Sequence, residues 1–171
     1  MVTSADLKSS QGQLFMQELQ PPSMLLSALL SVIHPNLYST AKDAMQKLHE
    51  DPRLGAAAAE WPSVFSGLQV ISNRLTPQHR DFKSRCSWYD ILCSVGPYTD
   101  ASLSLSNLGV RLEYKSGSVV AIGGRIVQHG VEAYNGERVC FAYFMRANVH
   151  ERLHVPNASW STMQGIRDRF M

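Results

Sequence analysis

The chain has 171 residues, a size at which one domain buries roughly 70% of the surface its unfolded chain exposes. Hydrophobic residues make up 44% and charged residues 18%, which excludes a disordered, collagen-like or coiled-coil chain. The net charge of +2 conceals an asymmetry: residues 1–70 hold four basic and six acidic side chains, and residues 71–171 hold twelve basic and eight acidic ones, a balance that suits an anionic partner without requiring one.

The most apolar run, Met24 to Ile33, is short and broken by Ser27 and Ser31, well below the ~20 residues a spanning helix needs. No membrane association is expected. Asp6 precedes Lys8 and no basic region leads into an apolar one, so the expectation is an intracellular protein without a secretory signal. Cys86, Cys93 and Cys140 have no close-paired spacing, which fits reduced core thiols better than a disulfide framework or a zinc ribbon.

In chain order, Leu14, Met16 and Leu19, then Met24, Leu25, Leu29 and Val32, are spaced for two short helices separated by Pro21-Pro22. A third is expected to start near Ser39, whose hydroxyl can cap it, and to run through Ala41, Met45 and Leu48. From Val64 the character changes to short runs of Val, Ile, Leu, Tyr and Phe punctuated by Gly, Asn and Pro, as in antiparallel β architecture. The predicted strands are Val64 to Ile71, Trp88 to Val95, Ala101 to Leu105, Val110 to Tyr114, Ser118 to Ile122, Ile126 to Val131 and Arg138 to Met145. Seven or eight such strands imply a closed or double-sheet barrel, mainly β with flanking helices. A last helix, capped near Asn157, is expected to reach Arg167, Asp168 and Arg169. The chain thus divides into a helical support region (1–62), a β core (63–148) and a C-terminal tail (149–171).

The residues that carry chemistry are His79 and Asp81, in Pro77-Gln78-His79-Arg80-Asp81-Phe82, and His129, in Val127-Gln128-His129-Gly130. Two imidazoles and one carboxylate are the donor set of a ferrous site that leaves three positions open. Alternate residues share a face of extended chain, so His79 and Asp81 can hold one ion together. A His-x-Asp triplet alone fits a polar loop between strands better than a metal site. Asn135-Gly136 adds a hairpin signal; a tight turn there sets His129 opposite Ala142, and Arg138, alternating with Cys140 and Ala142, falls on the face of His129. The separation along the strands is about 13 Å at roughly 3.3 Å per residue, a gap that an extended arginine gripping the far end of a five-carbon diacid can span.

At these residues the sequence resembles the 2-oxoglutarate and Fe(II)-dependent dioxygenases, and within them the TET/JBP-like group, particularly its fungal forms. The resemblance runs from about Val70 to Arg146, through Asn73-Arg74-Leu75-Thr76-Pro77, the His79-Arg80-Asp81 triplet, and His129-Gly130-Val131 followed by Gly136-Glu137-Arg138-Val139. It implies a double-stranded β-helix, or jelly roll. It further implies iron held by His79, Asp81 and His129, with Arg138 on the C5 carboxylate of 2-oxoglutarate, and O2 as the oxidant with ascorbate as a stimulating reductant. Many relatives carry a serine two residues after that arginine, where this chain has Cys140; Cys140 and Asn73 are the further candidates for contact with the cosubstrate. The implied substrate is the methyl of 5-methylcytosine or thymine in nucleic acid, methylated DNA first, and hence a nuclear setting. A base inside a duplex must be flipped out to reach such a pocket. Arg74, Arg80, Lys83 and Arg85 against Asp81 give the triplet a basic surround suited to phosphates or simply to solvent, and Trp88 and Tyr89 are either base-stacking or core residues.

Competing motifs carry less. His150-Glu151-Arg152-Leu153-His154 spells the zinc-peptidase pattern, but Val155-Pro156 follows at once and proline disfavours helix just before it. His-Arg-Asp also opens a kinase catalytic loop, yet position 86 is Cys where that loop needs Asn, and no Gly-rich phosphate loop precedes it. A hydroxylase of a protein or small molecule and a non-catalytic remnant of the oxygenase family are the remaining alternatives.

Overall fold

The computed structural model describes residue 4 and residues 8–168; the expectations placed on Asp6 and Arg169 lie outside the described residues. The chain forms two compact units, residues 1–66 with 148–171, and residues 67–147.

In the first unit a single helix, α1 (Ser10–Ile33), runs through Pro21-Pro22 where two helices were expected. The prolines cannot donate to the carbonyls of Gln17 and Glu18, but both of those residues are exposed, so water can satisfy the freed acceptors. Across the prolines the buried stripe of Met16, Leu19, Ser23, Leu26, Ser27 and Leu30 continues unbroken, and its burial outweighs the local cost. Helix α2 (Pro35–Glu50) starts earlier than Ser39, with His34 as its cap: the Leu37 N–H donates to His34 Nδ1 at 3.2 Å, and Pro35 sits in the first turn. A short helix, α3 (Gly55–Ala59), occupies the alanine run, where no element was expected. No helix among the described residues is long and apolar enough to cross a membrane.

The second unit holds the β architecture. Its strands are β1 (Gly67–Ser72), β2 (Thr76–His79), β3 (Asp90–Val95), β4 (Tyr98–Thr99), β5 (Ser102–Leu105), β6 (Val110–Glu113), β7 (Ser118–Ile122), β8 (His129–Val131), β9 (Asn135–Gly136) and β10 (Val139–Phe144). They assemble into two antiparallel four-stranded sheets, β1-β10-β3-β7 and β2-β8-β5-β6, with a two-stranded ladder β4-β9. The expected runs at 88–95, 101–105, 110–114 and 118–122 all contain observed strands. The sequence misses β2 because Pro77 reads as a breaker; β2 is the edge strand of its sheet, where a missing N–H costs no ladder bond.

The expected hairpin at Asn135-Gly136 does not form. Of the pair only Gly136 has positive φ, +101°, whereas the tight turn needs it at both residues. The two residues pair instead with Thr99 and Tyr98. The chain crosses there from one sheet to the other: β8 pairs with β2 and β5, and Ala142 pairs with Gln69 and Leu92 rather than with His129. Tyr98, Leu103, Leu105, Tyr114, Ile122 and Val131 form a buried cluster in this unit, each worth about 1.5–3 kcal/mol in burial. The last strand leads into α4 (Ala147–Arg152), and α5 (Met163–Arg167) follows in the tail, capped by Thr162 through Gly165 N–H rather than by Asn157.

One backbone position pins the crossing. Gly96 has φ +130°, and a Cβ there would lie 2.2 Å from the Glu137 carbonyl oxygen. Gly96→Ala should therefore destabilise the chain by at least about 2 kcal/mol, read as a lower midpoint in urea denaturation with an unchanged slope.

Candidate active site

The strand pairing of β2 with β8 sets His79 directly opposite His129. Gly130 makes that close pairing possible, since a Cβ there would meet the Thr76 carbonyl oxygen at 2.7 Å. Asp81 follows two residues after His79 and is fixed by its N–H donating to the Gly124 carbonyl at 2.8 Å. His79 Nε2 lies 3.8 Å from Asp81 Oδ1, and His129 Nε2 lies 3.5 Å from Asp81 Oδ2. All three donor atoms fall within 4.8 Å of one another, the one such cluster of His, Cys, Asp and Glu among the described residues.

Both rings are oriented by the backbone. His79 Nδ1 is 2.9 Å from the Pro77 carbonyl and His129 Nδ1 is 3.0 Å from the Val127 carbonyl. A carbonyl can only accept, so each Nδ1 carries the proton and each Nε2 turns a lone pair toward Asp81. Burial holds the His129 imidazole below its usual titration range, against the opposing pull of the Val127 carbonyl, and so keeps it in the neutral form a metal requires. The donor set, its tautomers and its spacing fit a divalent first-row metal.

The same cavity, about 110 Å³, several times the roughly 10–15 Å³ one water needs, is lined on its other wall by Arg138. Arg138 is 2% exposed, and no carboxylate among the described residues pairs with it. Its guanidinium sits 5.0 Å from the Tyr114 ring, 5.6 Å from Tyr134 and 5.9 Å from Tyr98, and its Nε is buried without a partner. A buried charge costs several kcal/mol, and each aromatic face returns about 0.5–2 kcal/mol. The balance leaves a largely uncompensated cation lining the cavity, with the chemistry to take an anion. The route by which Arg138 reaches this cavity differs from the sequence expectation: it precedes β10 in the sheet opposite β8 and looks across the barrel, not along a shared sheet face.

Cys140 also lines the cavity, and the Tyr114 hydroxyl lies 3.7 Å from its Sγ. Burial pushes the tyrosine far up, so the hydroxyl remains a donor. Asn73 sits elsewhere. It is exposed, with φ +47°; its side-chain oxygen accepts from the Arg138 N–H at 2.8 Å, and its amide bonds the Glu137 carboxylate. The structure makes it a backbone clamp for the arginine and not a lining residue. Trp88 is fully buried, and Cys86, expected in the core, is exposed. The peptidase motif fails geometrically: α4 ends at Arg152, His154 has φ +52° beyond it, and His150 is buried, so the two imidazoles do not share a helix face.

Two features escape the sequence. The tyrosines around Arg138 are written like any strand aromatic. Asp90, 3% exposed and lining the cavity, has neither carboxylate oxygen hydrogen-bonded. A Cβ on Gly124 would stand 2.5 Å from Asp90 Oδ2 and 2.6 Å from Asp81 Oδ2, so both carboxyls crowd one glycine.

Comparison with known proteins agrees with this geometry. Residues 2–147 match the model of the Tet_JBP family, described as the oxygenase domain of the 2OGFeDO superfamily. The chain belongs to this family. Tet_JBP membership implies Fe(II) and 2-oxoglutarate as the cofactors of the domain. Among solved structures, the chain is similar to NgTET1 in complex with 5mC DNA, with a TM-score of 0.67 and 16% identity over 99% of this chain. The likeness establishes a shared jelly-roll fold. This chain spans 63% of the NgTET1 chain. No curated protein matches the sequence.

Asp90 yields a pH test. Burial first, and then the charge of Asp81, raise its carboxyl well above 3.8, against the pull of Arg146. The folded chain therefore keeps a proton that the unfolded chain gives up above about pH 4, and this group costs stability progressively as pH rises through that window. Asp90→Asn should raise the thermal midpoint at pH 7, with the advantage shrinking toward pH 4; an advantage of equal size at both would refute the assignment.

Proposed function

We propose that the chain is an Fe(II)- and 2-oxoglutarate-dependent dioxygenase that hydroxylates the methyl group of a 5-methylpyrimidine in nucleic acid, 5-methylcytosine in DNA first. The observation that carries the reading is a buried guanidinium without a counter-charge, in one cavity with a His-Asp-His cluster. A remnant kept only for its shape would have no reason to retain both. His79, Asp81 and His129 are the residues to hold iron; Arg138 is the grip for the C5 carboxylate. When bound, iron with 2-oxoglutarate and oxygen supplies the oxidising power for an unreactive C–H bond, with 2-oxoglutarate released as succinate and carbon dioxide.

The protein's own contribution is placement. The forked guanidinium binds a carboxylate bidentately, and its rigid surround fixes the distance from that carboxylate to the donor cluster, which converts an encounter of three reactants into an oriented one. Tyr114 supplies a buried hydroxyl beside Cys140, in the place where many relatives carry a serine, and donates to the same carboxylate. Favouring a nucleic-acid substrate are the exposed Arg74, Arg80 and Lys83 around the triplet, positioned for phosphates, and the methylated DNA named with NgTET1. A DNA substrate carries with it a nuclear, intracellular setting.

Incubation with Fe(II), 2-oxoglutarate and ascorbate should release succinate faster with methylated than with unmethylated DNA, and mass spectrometry should find the oxidised methyl; equal rates on the two DNAs would end the substrate assignment. Asp81→Ala should abolish turnover. Arg138→Gln should raise the 2-oxoglutarate Kd at least about 30-fold with metal affinity intact, and Tyr114→Phe should raise it about tenfold, both measured by calorimetry.

A further inference from the structure

Phe82, the residue directly after Asp81, is 73% exposed. Leaving such a side chain in water forgoes about 1.5–3 kcal/mol of burial, and here the backbone beneath it is anything but loose. Asp81 N–H donates to Gly124 and Ser84 N–H donates back to the Asp81 carbonyl at 3.1 Å, closing a turn with Phe82 at its tip. The Lys83 carbonyl accepts from the Ala147 N–H at 3.2 Å. Arg125 bonds the carbonyls of both Phe82 and Ser84. The turn's carbonyls from 81 to 84 are all engaged within the unit, so the ring is held out by a pre-organised support.

The exposed charged residues that flank Phe82 in sequence are cationic. Arg80 and Lys83, its exposed neighbours in sequence, and Arg74, exposed and lining the cavity, are cationic, and Asp81 turns inward to the histidines. An exposed aromatic side chain flanked in sequence by exposed cations, one residue from the donor cluster, has the chemistry of a stacking element: phosphates meet the cations while a vacated stack meets the ring. Single-stranded substrates have no closed stack to enter. A duplex does, and extruding a base from it leaves a gap one aromatic ring can fill.

Resting on the dioxygenase reading, we propose that Phe82 is the wedge that occupies the space left when the target base is flipped out of a duplex. It is a positioning residue: it never meets the reacting methyl but offsets the unstacking that brings the methyl to the cavity.

The test uses the full chain and a duplex carrying one 5-methylcytosine with 2-aminopurine as its 3′ neighbour, alongside the same strand unpaired. Wild type should brighten 2-aminopurine on binding the duplex. Phe82→Ala should weaken duplex binding about tenfold and lose the brightening, while single-strand binding, 2-oxoglutarate affinity and methyl-dependent succinate release on the single strand stay within twofold of wild type. Phe82→Trp should restore the duplex signal. The wedge is overturned if Phe82→Ala matches wild type on the duplex, or if it weakens duplex and single strand alike. A wild-type protein that binds 2-oxoglutarate but responds to neither DNA form fails on substrate class, and the wedge falls with it; one that turns over methylated DNA normally without Phe82 leaves the dioxygenase reading standing and removes only the wedge.

Discussion

A single uncompensated charge organises this site. Arg138 has been drawn out of water without an acid to meet it, and three tyrosine rings only partly repay the desolvation. Such a group is tolerated when the folded chain expects an anion to finish the arrangement. The surrounding structure is consistent with that purpose: Asn73 clamps the arginine's backbone, the Gly96 approach fixes the residue before it, and the tyrosine hydroxyl beside Cys140 stays protonated.

Across the cavity the same logic appears in a different form. The two histidines are aimed by carbonyls two residues upstream, Pro77 within β2 and Val127 in the bend before β8, so the donor geometry is built into the local backbone and needs no additional side chain. Because β2 and β8 are direct neighbours, the rings face each other with centroids 4.3 Å apart, and the aspartate completes the set after the strand ends. The His-Asp-His cluster is therefore carried by β2, β8 and the residue pair after β2, and Arg138 by the segment entering β10 of the other sheet, so the spacing between them follows from the packing of the two sheets.

How much of this is legible in the sequence depends on the range of the interaction concerned. His79 and Asp81 are readable as a pair because alternation along one strand is local. Most strands are readable for the same reason. The partner of β8 is not: Asn135-Gly136 signals a turn by its residue types, but pairing across the barrel is decided by where both sheets can bury their inner faces, and that settled the crossing with β4. Arg138 reaches the right cavity from the wrong direction in the sequence reading, since a face can be inferred from parity even when the partner strand is misassigned. Pro21-Pro22 misleads in the opposite sense, because exposure of the freed carbonyls depends on which side of α1 is buried. Asp90 and the tyrosine cage leave no trace in residue order at all.

The crossing has a dynamic side. Two of the three rings about the guanidinium belong to a ladder of only two residue pairs, Tyr98 with Gly136 and Thr99 with Asn135: Tyr98 is part of it and Tyr134 precedes it, while Tyr114 directly follows β6 of a four-stranded sheet. Small ladders open at a lower free-energy cost than the sheets that flank them. One wall of the arginine's compartment can thus breathe without either four-stranded sheet coming apart.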